Sequence, residues 1–171
     1  MRLAGANVIA TDVVPPDHPK AGLAGYMEAQ YLNTESLSAR QLMDNPIFAG
    51  QRLDVIFEAS GASPIAGELI MYMSRSSIYV MTGIPREDMV LNIDTAQIWR
   101  QMVRYNQVLV GSVNSNRRHF EAAMADMPAI AEKYPDLLKG IITHRYPLRE
   151  YERAFEPKGP EHIKTVIEVS A

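Results

Sequence analysis

"RLDVIFEASG", residues 52–61, is the stretch that decides the fold class. Val55, Ile56 and Phe57 form an unbroken β-branched and aromatic run, the signature of a parallel strand buried on both faces. The run stops in Glu58, Ala59, Ser60 and Gly61, so small and polar residues stand at the carboxyl end of the strand. Two later stretches repeat the style. "SSIYVMTGIP" (76–85) runs into Thr82, Gly83 and Ile84, and "QVLVGSVNSN" (107–116) runs into Ser112, Val113 and Asn114. Helical patterns separate them: "ASPIAGELIMYMSR" (62–75), with Pro64 tolerated in a first turn, and "TAQIWRQMVRY" (95–105), reached through an extended piece near "VLNID" (90–94). Strands of period 2 alternating with helices of period 3.6 predict a mostly parallel α/β sheet.

Towards the N-terminus, "NVIATDVV" (7–14) is a further strand, with Asp12 where its apolar run ends. "MRLAGA" before it reads as the last turn of a helix stopped by a left-handed Gly5. Adjacent prolines in "VVPPDHPK" break regular structure. A short helix over about 19–27 leads to the strand "AQYLN", ending at Asn33 and Thr34, and "SLSARQLMDN" is a helix opened by Ser36 or Ser38. Towards the C-terminus, a long helix covers about 116–133. The character then changes: "GIITHRYPLREYERAFE" is a short strand, a proline-marked turn and a helix, and "HIKTVIEV" is an edge-like strand. No internal repeat or low-complexity segment is present.

Bulk composition narrows the function classes. The 171 residues suffice for one ordinary domain with a real core, 47% are apolar and 22% charged, as in globular proteins. A formal net charge of −3 gives no electrostatic reason to expect nucleic acid or an anionic membrane as partner. "NRRHF" (116–120), the densest basic spot, reads as a solvated helix start. With no cysteine, the chain has no disulfide, thiol nucleophile or thiolate metal site, which is compatible with a cytoplasmic setting. Its apolar runs fall short of the ~20 residues of a membrane span. His18, His119, His144 and His162 show no metal-ligand spacing, no G-x-S-x-G elbow occurs, and no catalytic carboxylate pair stands out.

The chemistry-bearing residues gather at strand ends. Ligands of open parallel sheets sit outside the carboxyl ends of the strands. There a glycine admits a flat ring or a pyrophosphate to the backbone, and a carboxylate accepts both hydroxyls of a ribose. Asp12, then Asn33 and Thr34, then Ala59, Ser60 and Gly61, then Thr82, Gly83 and Ile84, then Ser112, Val113 and Asn114 therefore form the candidate rim.

At these residues the chain resembles the medium-chain dehydrogenase superfamily. "LAGANVIATDVVP" is similar to the segment after that family's glycine-rich turn and first helix. "EAQYLNT", "LDVIFEASGA", "SSIYVMTGIP" and "LVGSVNSNRRHFEAA" follow in the family's order, and "IITHRYPLREYERAFE…IKTVIEV" resembles its C-terminal passage. "FEASG", "VGSVNS" and "HFEAA" resemble the glucose (aldose) dehydrogenase branch most closely.

The resemblance implies an incomplete Rossmann-like, doubly wound parallel sheet without the first strand and its G-x-G-x-x-G turn, plus a short C-terminal α+β passage. Residues 1–134 would be the partial dinucleotide-binding domain, and 135–171 would rejoin a catalytic domain. Asp12 would hold the adenosine ribose and favour NAD over NADP. The sugar branch often carries glycine and arginines here and takes NADP; this chain has Val13 and Val14 instead. Asn33 and Thr34 would border adenine, Ala59, Ser60 and Gly61 would pass beneath ribose and pyrophosphate, and Thr82, Gly83 and Ile84 would face nicotinamide. Ser112, Val113 and Asn114 would lie beside the nicotinamide ribose, with Asn114 reaching the substrate. Zinc and proton relay would belong to the missing N-terminal half, leaving the chain alone inactive and a weak cofactor binder.

Without the first strand, the strands of "NVIATD" and "LDVIFE" would each carry an open edge. The expected outcome is a homo-oligomer, a swapped segment, a join to the missing half, or direct pairing of those two strands. A non-catalytic oligomerisation or regulatory fragment of the same fold is the alternative reading. A methyltransferase would end its sheet in an antiparallel hairpin, and nothing after "VGSVN" supplies one.

Overall fold

A computed structural model describes residues 1–61, 64–85, 88, 90 and 92–170. Along the chain the strands and α-helices are β1 (Ile9–Asp12), α1 (Pro19–Tyr26), β2 (Gln30–Asn33), α2 (Ala39–Met43), β3 (Val55–Glu58), α3 (Pro64–Glu68), β4 (Ile78–Met81), α4 (Thr95–Tyr105), β5 (Val108–Gly111), α5 (Arg117–Lys133), α6 (Leu137–Ile141), β6 (Ile142–Pro147), α7 (Tyr151–Phe155) and β7 (Lys164–Glu168). The expected mixed α/β architecture with parallel sheets is what forms: β1 pairs with β2, β3 with β4, β4 with β5, and β6 with β7, every pair parallel. The chain divides into two compact units, Met1–Glu35 with Asn116–Ala171, and Ser36–Ser115.

The first unit builds on local signals. A single 3₁₀ turn, Arg2–Ala4, ends at Gly5, whose φ of 82° gives the left-handed stop expected there. His18 caps α1 by accepting from Lys20 N–H at 3.1 Å, and Asn116 caps α5 in a reciprocal box with His119. Arg2 reaches Glu28 at 2.7 Å and Lys133 reaches the same carboxylate at 3.5 Å, tying the first turn to the end of α5. Tyr134, buried at that end, donates to Met27 O at 3.4 Å and packs its ring against Tyr26. The helix α6 had no signal that sequence reasoning used.

In the second unit, Ser38 rather than Ser36 opens α2, with Gln41 completing its capping box. The helix expected over 62–75 is shorter. The α-helical part, α3, stops at Glu68, and Leu69–Tyr72 tightens into a 3₁₀ turn. Ala62 and Ser63 of that stretch, and Leu91 of the expected extended piece, lie outside the described residues. The residues 90 and 92–94 join no ladder.

Burial departs from expectation. In register, Val55, Ile78 and Val108 lie side by side, as do Phe57, Val80 and Val110. These six define one face of the β3–β4–β5 sheet, and Phe57 on it is 53% exposed. Val55, Ile78, Val108 and Val110 are exposed as well, so the continuous buried run at 55–57 is not buried on both faces. The opposite face carries Tyr79, only 1% exposed, whose hydroxyl donates to Ala66 O in α3. An apolar run shows what a strand is able to bury, while a covering layer must come from elsewhere, and the bond from Tyr79 to Ala66 ties its face to α3. Among the described residues, β1 ladders only to β2, and β3 only to β4.

Tyr79 generates a pH prediction. Burial lifts its phenol from 10.0 to about 12, helped by the charge of Glu58. Because the folded value lies above the unfolded one, this stabilisation is whole below pH 10 and is lost as pH rises through 12. The urea midpoint should therefore fall more steeply over that window in the wild type than in Tyr79→Phe. Near neutral pH, Tyr79→Phe should itself cost about 1 kcal/mol through the lost bond to Ala66.

Candidate functional site

At the carboxyl end of the β3–β4–β5 sheet, Glu58, Met81 and Gly111 stand side by side as the last paired residues. The chain leaves β3 through a turn held by the Glu58 side chain. One oxygen, Oε1, accepts from Ser60 N–H at 2.6 Å, Ser60 Oγ at 2.6 Å and Gly61 N–H at 2.9 Å. The Glu58 main-chain oxygen accepts from Thr82 N–H at 2.8 Å, from Thr82 Oγ1 at 2.9 Å and from Gly83 N–H at 3.3 Å. One residue thus binds both the turn after β3 and the turn after β4. Partial burial pushes the Glu58 carboxyl up, but the Ser60 hydroxyl and the N–H groups of Gly61, Ser60 and Gly83 outweigh it and hold the group below its ordinary value.

Two glycines make this junction possible. At Gly61, with φ at +63°, a Cβ would lie 2.6 Å from Ile84 C and O. At Gly83 it would lie 2.1 Å from Gly61 N and 2.7 Å from Glu58 Oε2. The backbones of 61 and 83–84 therefore touch, and only glycine fits on either side. Ile84 (68% exposed) and Val113 (67% exposed) project apolar surface at the same end of the sheet. Ser112 N–H is spent on Met81 O at 2.9 Å, while Ser112 and Asn114 are exposed. The nine expected rim residues of this unit, Ala59 to Gly61, Thr82 to Ile84 and Ser112 to Asn114, thus sit at one sheet end, with Gly61 against Gly83 and Ile84.

The other three candidates belong to the first unit, where Asp12 and Asn33 are paired at the ends of β1 and β2. Asp12 is exposed, its Oδ1 accepts from Val13 N–H at 2.7 Å, and it forms no ion pair among the described residues. Its main-chain oxygen accepts from Thr34 N–H at 2.9 Å and Thr34 Oγ1 at 3.3 Å. Asn33 Nδ2 donates to Val13 O at 3.0 Å and Val14 O at 2.8 Å. Asn33 and the buried Thr34 therefore hold the 12–14 turn, and the carboxylate of Asp12 is the group left facing solvent.

Glu58 was missed as a site residue by sequence reasoning. Its signal was present: an acidic residue closing an apolar strand, with Ser and Gly two and three positions on, is spaced for a side chain that accepts from its own following turn. Elsewhere, His144 and His162 meet edge to face with ring centroids 5.4 Å apart and bond Thr143 and Thr165. Among the described residues no group of three or more His, Asp or Glu side chains is arranged to hold a metal. No helix among them is long and apolar enough to cross a membrane.

A family model described as glucose dehydrogenase C-terminus matches residues 1–169. The chain belongs to this glucose dehydrogenase C-terminal family. Glucose 1-dehydrogenase from Haloferax mediterranei is 30% identical over 155 residues, covering 91% of the chain and 41% of the relative. Glucose 1-dehydrogenase 2 from Vulcanisaeta moutnovskia is 27% identical over 169 residues, covering 99% and 45%. Among solved structures, Haloferax mediterranei glucose dehydrogenase in complex with NADP, zinc and gluconolactone superposes with a TM-score of 0.80 at 28% identity, over 96% of the chain and 44% of that protein. An alcohol dehydrogenase from Thermotoga maritima gives 0.68 at 25% identity, over 95% and 43%. The chain thus spans less than half the length of the relatives it matches, in the C-terminal part of zinc-type medium-chain dehydrogenases.

The glycine junction yields a paired test in this family member. Gly83→Ala should lower stability by roughly 1–3 kcal/mol through overpacking against backbone. Gly111→Ala, where nothing lies within 4 Å of the added carbon, should change it by less than about 0.5 kcal/mol. Urea unfolding of the two variants checks the contrast; equal effects would mean the 61–83 contact is not tight.

Proposed function

We propose that the chain is the nucleotide-binding and C-terminal portion of an NAD(P)-dependent sugar or alcohol dehydrogenase. The observation that carries this reading is the Gly61–Gly83 junction beside exposed Ile84. It offers a flat, partly apolar seat lined with backbone, at the sheet end where α/β proteins hold nucleotides. The bound nicotinamide would accept a hydride from the C–OH carbon of the substrate. The chain's own residues bind and orient. Ala59, Ser60 and Gly61 pass beneath ribose and pyrophosphate, Thr82, Gly83 and Ile84 face the nicotinamide, and Ser112, Val113 and Asn114 border the nicotinamide ribose, with Asn114 towards the substrate. Asp12 accepts from the adenosine ribose hydroxyls and repels a 2′-phosphate, which favours NAD over NADP; Asn33 and Thr34 flank the adenine.

Residues 135–171 would rejoin a catalytic domain carrying zinc and proton relay. No G-x-G-x-x-G turn occurs in the 171 residues, so cofactor binding by this chain alone should be weak and turnover absent. Fluorescence titration with NADH and NADPH tests the reading. The expected result is saturable binding weaker than micromolar, tighter for NADH, with Asp12→Ala losing roughly tenfold for NADH, the ~1.4 kcal/mol of a charge-assisted bond. No saturable binding of either cofactor would sink it.

A second reading, an association module with the same fold, is favoured by the exposed apolar face of Val55, Phe57, Ile78, Val108 and Val110. A self-associating species in size-exclusion chromatography with light scattering, together with no thermal shift from NADH or NADPH, would select it. A monodisperse monomer would exclude it.

A further inference from the structure

The turn after β3 contains a carboxylate that a nucleotide seat built only of main chain does not require. Glu58 lies at the last paired position of β3, half-buried, and its side chain reaches away from the sheet end to its own following turn. Three donors converge on Oε1, and the main-chain oxygen of the same residue takes two N–H groups and one hydroxyl from the neighbouring turn. An ionised carboxylate only accepts, and every group aimed at it here donates. A carboxamide in its place could keep its oxygen towards those three donors only as a weaker, uncharged acceptor, and would put an N–H₂ at the Oε2 position beside Gly83.

Shape sets the consequence. The two turns meet backbone to backbone at Gly61 and at Gly83–Ile84, with the Glu58 carboxylate lying beside Gly83. Their spacing therefore rests on hydrogen bonds, and Glu58 is where the bonds of both turns meet.

We propose that Glu58 is a positioning residue of the cofactor seat: its carboxylate holds the turn of residues 59–61 while its main-chain oxygen holds the turn of 82–84, so this one residue sets the spacing of the main chain presented to ribose and nicotinamide. The proposal rests on the nucleotide-binding reading above and adds to it a residue that touches no cofactor. Ionisation matters because a neutral carboxyl accepts these bonds more weakly than a carboxylate. The lock's hold on the 59–61 turn is therefore strongest at neutral pH and weakens as pH falls through the carboxylate range, while the main-chain bonds to Thr82 and Gly83 do not titrate.

The test uses the full chain and two independent readouts. Amide hydrogen exchange followed by mass spectrometry reads the lock without any cofactor. In Glu58→Gln, peptides covering 58–61 should exchange at least tenfold faster and those covering 82–84 faster by a smaller factor, through the Gly61–Gly83 contact, with α4 and β1 unchanged. Ser60→Ala, which removes a single donor and keeps the charge, should show a smaller effect in the same peptides. In the wild type, but not in Glu58→Gln, exchange there corrected for its intrinsic pH dependence should rise as pH falls below the ordinary carboxyl value of 4.5. NADH titration reads the seat: Glu58→Gln should bind roughly tenfold more weakly, while Glu35→Gln, an exposed carboxylate elsewhere, leaves affinity unchanged. Unaltered exchange at both turns in Glu58→Gln and Ser60→Ala would overturn the lock. Faster exchange with unaltered NADH affinity would overturn the positioning role. If Glu58→Gln does not fold, Ser60→Ala and the acid arm decide. Failure of the wild type to bind NADH would sink the nucleotide reading and the positioning role with it, while the exchange arm still decides whether the lock exists.

Discussion

The constraint on which the candidate site depends is the approach of two backbones, at Gly61 and at Gly83–Ile84, closer than any side chain allows. Parallel strands end in turns that must diverge to start the next helix. Here the turns after β3 and β4 are instead drawn together, because Glu58 supplies acceptors to both. The contact removes side-chain bulk from the place where a flat ligand would lie, and it fixes that surface by hydrogen bonds rather than by packing. Everything assigned to the second unit's rim, from Ser60 to Asn114, takes its position from this junction and from the register of β3, β4 and β5.

The first unit solves a related problem by a different route. The turn after β1 carries two prolines and two valines and has no regular structure to hold it. Asn33 and Thr34 at the end of β2 bond its main chain, while the side chain of Asp12 stays in solvent. Polar groups that look like ligand contacts in sequence are thus divided in the structure. Some of them build the turn, and one, Asp12, keeps its side chain in solvent. The division follows from the obligation to satisfy main-chain donors and acceptors before side chains are free for other work.

Exposure of the Val55–Phe57 face has the same kind of origin. Six apolar residues in register on one sheet face are what a covered sheet needs, and five of them are exposed, while the bond from Tyr79 ties a helix to the opposite face.

Alternating strand and helix patterns, parallel pairing, the Gly5 stop, the α1 and α4 limits and the family resemblance were all legible in the residues, because each depends on periodicity, caps and turn chemistry within about ten positions. The nine rim residues of the second unit were legible for the same reason, since each follows directly from the end of an apolar run. Three things needed tertiary structure. Which face of a strand is covered depends on distant helices, the choice of Ser38 over Ser36 depends on where Gln41 can reach, and the role of Glu58 depends on a turn 24 residues further on. Sequence determines what each segment is able to pair with locally; only the folded chain decides which of the available donors and acceptors meet.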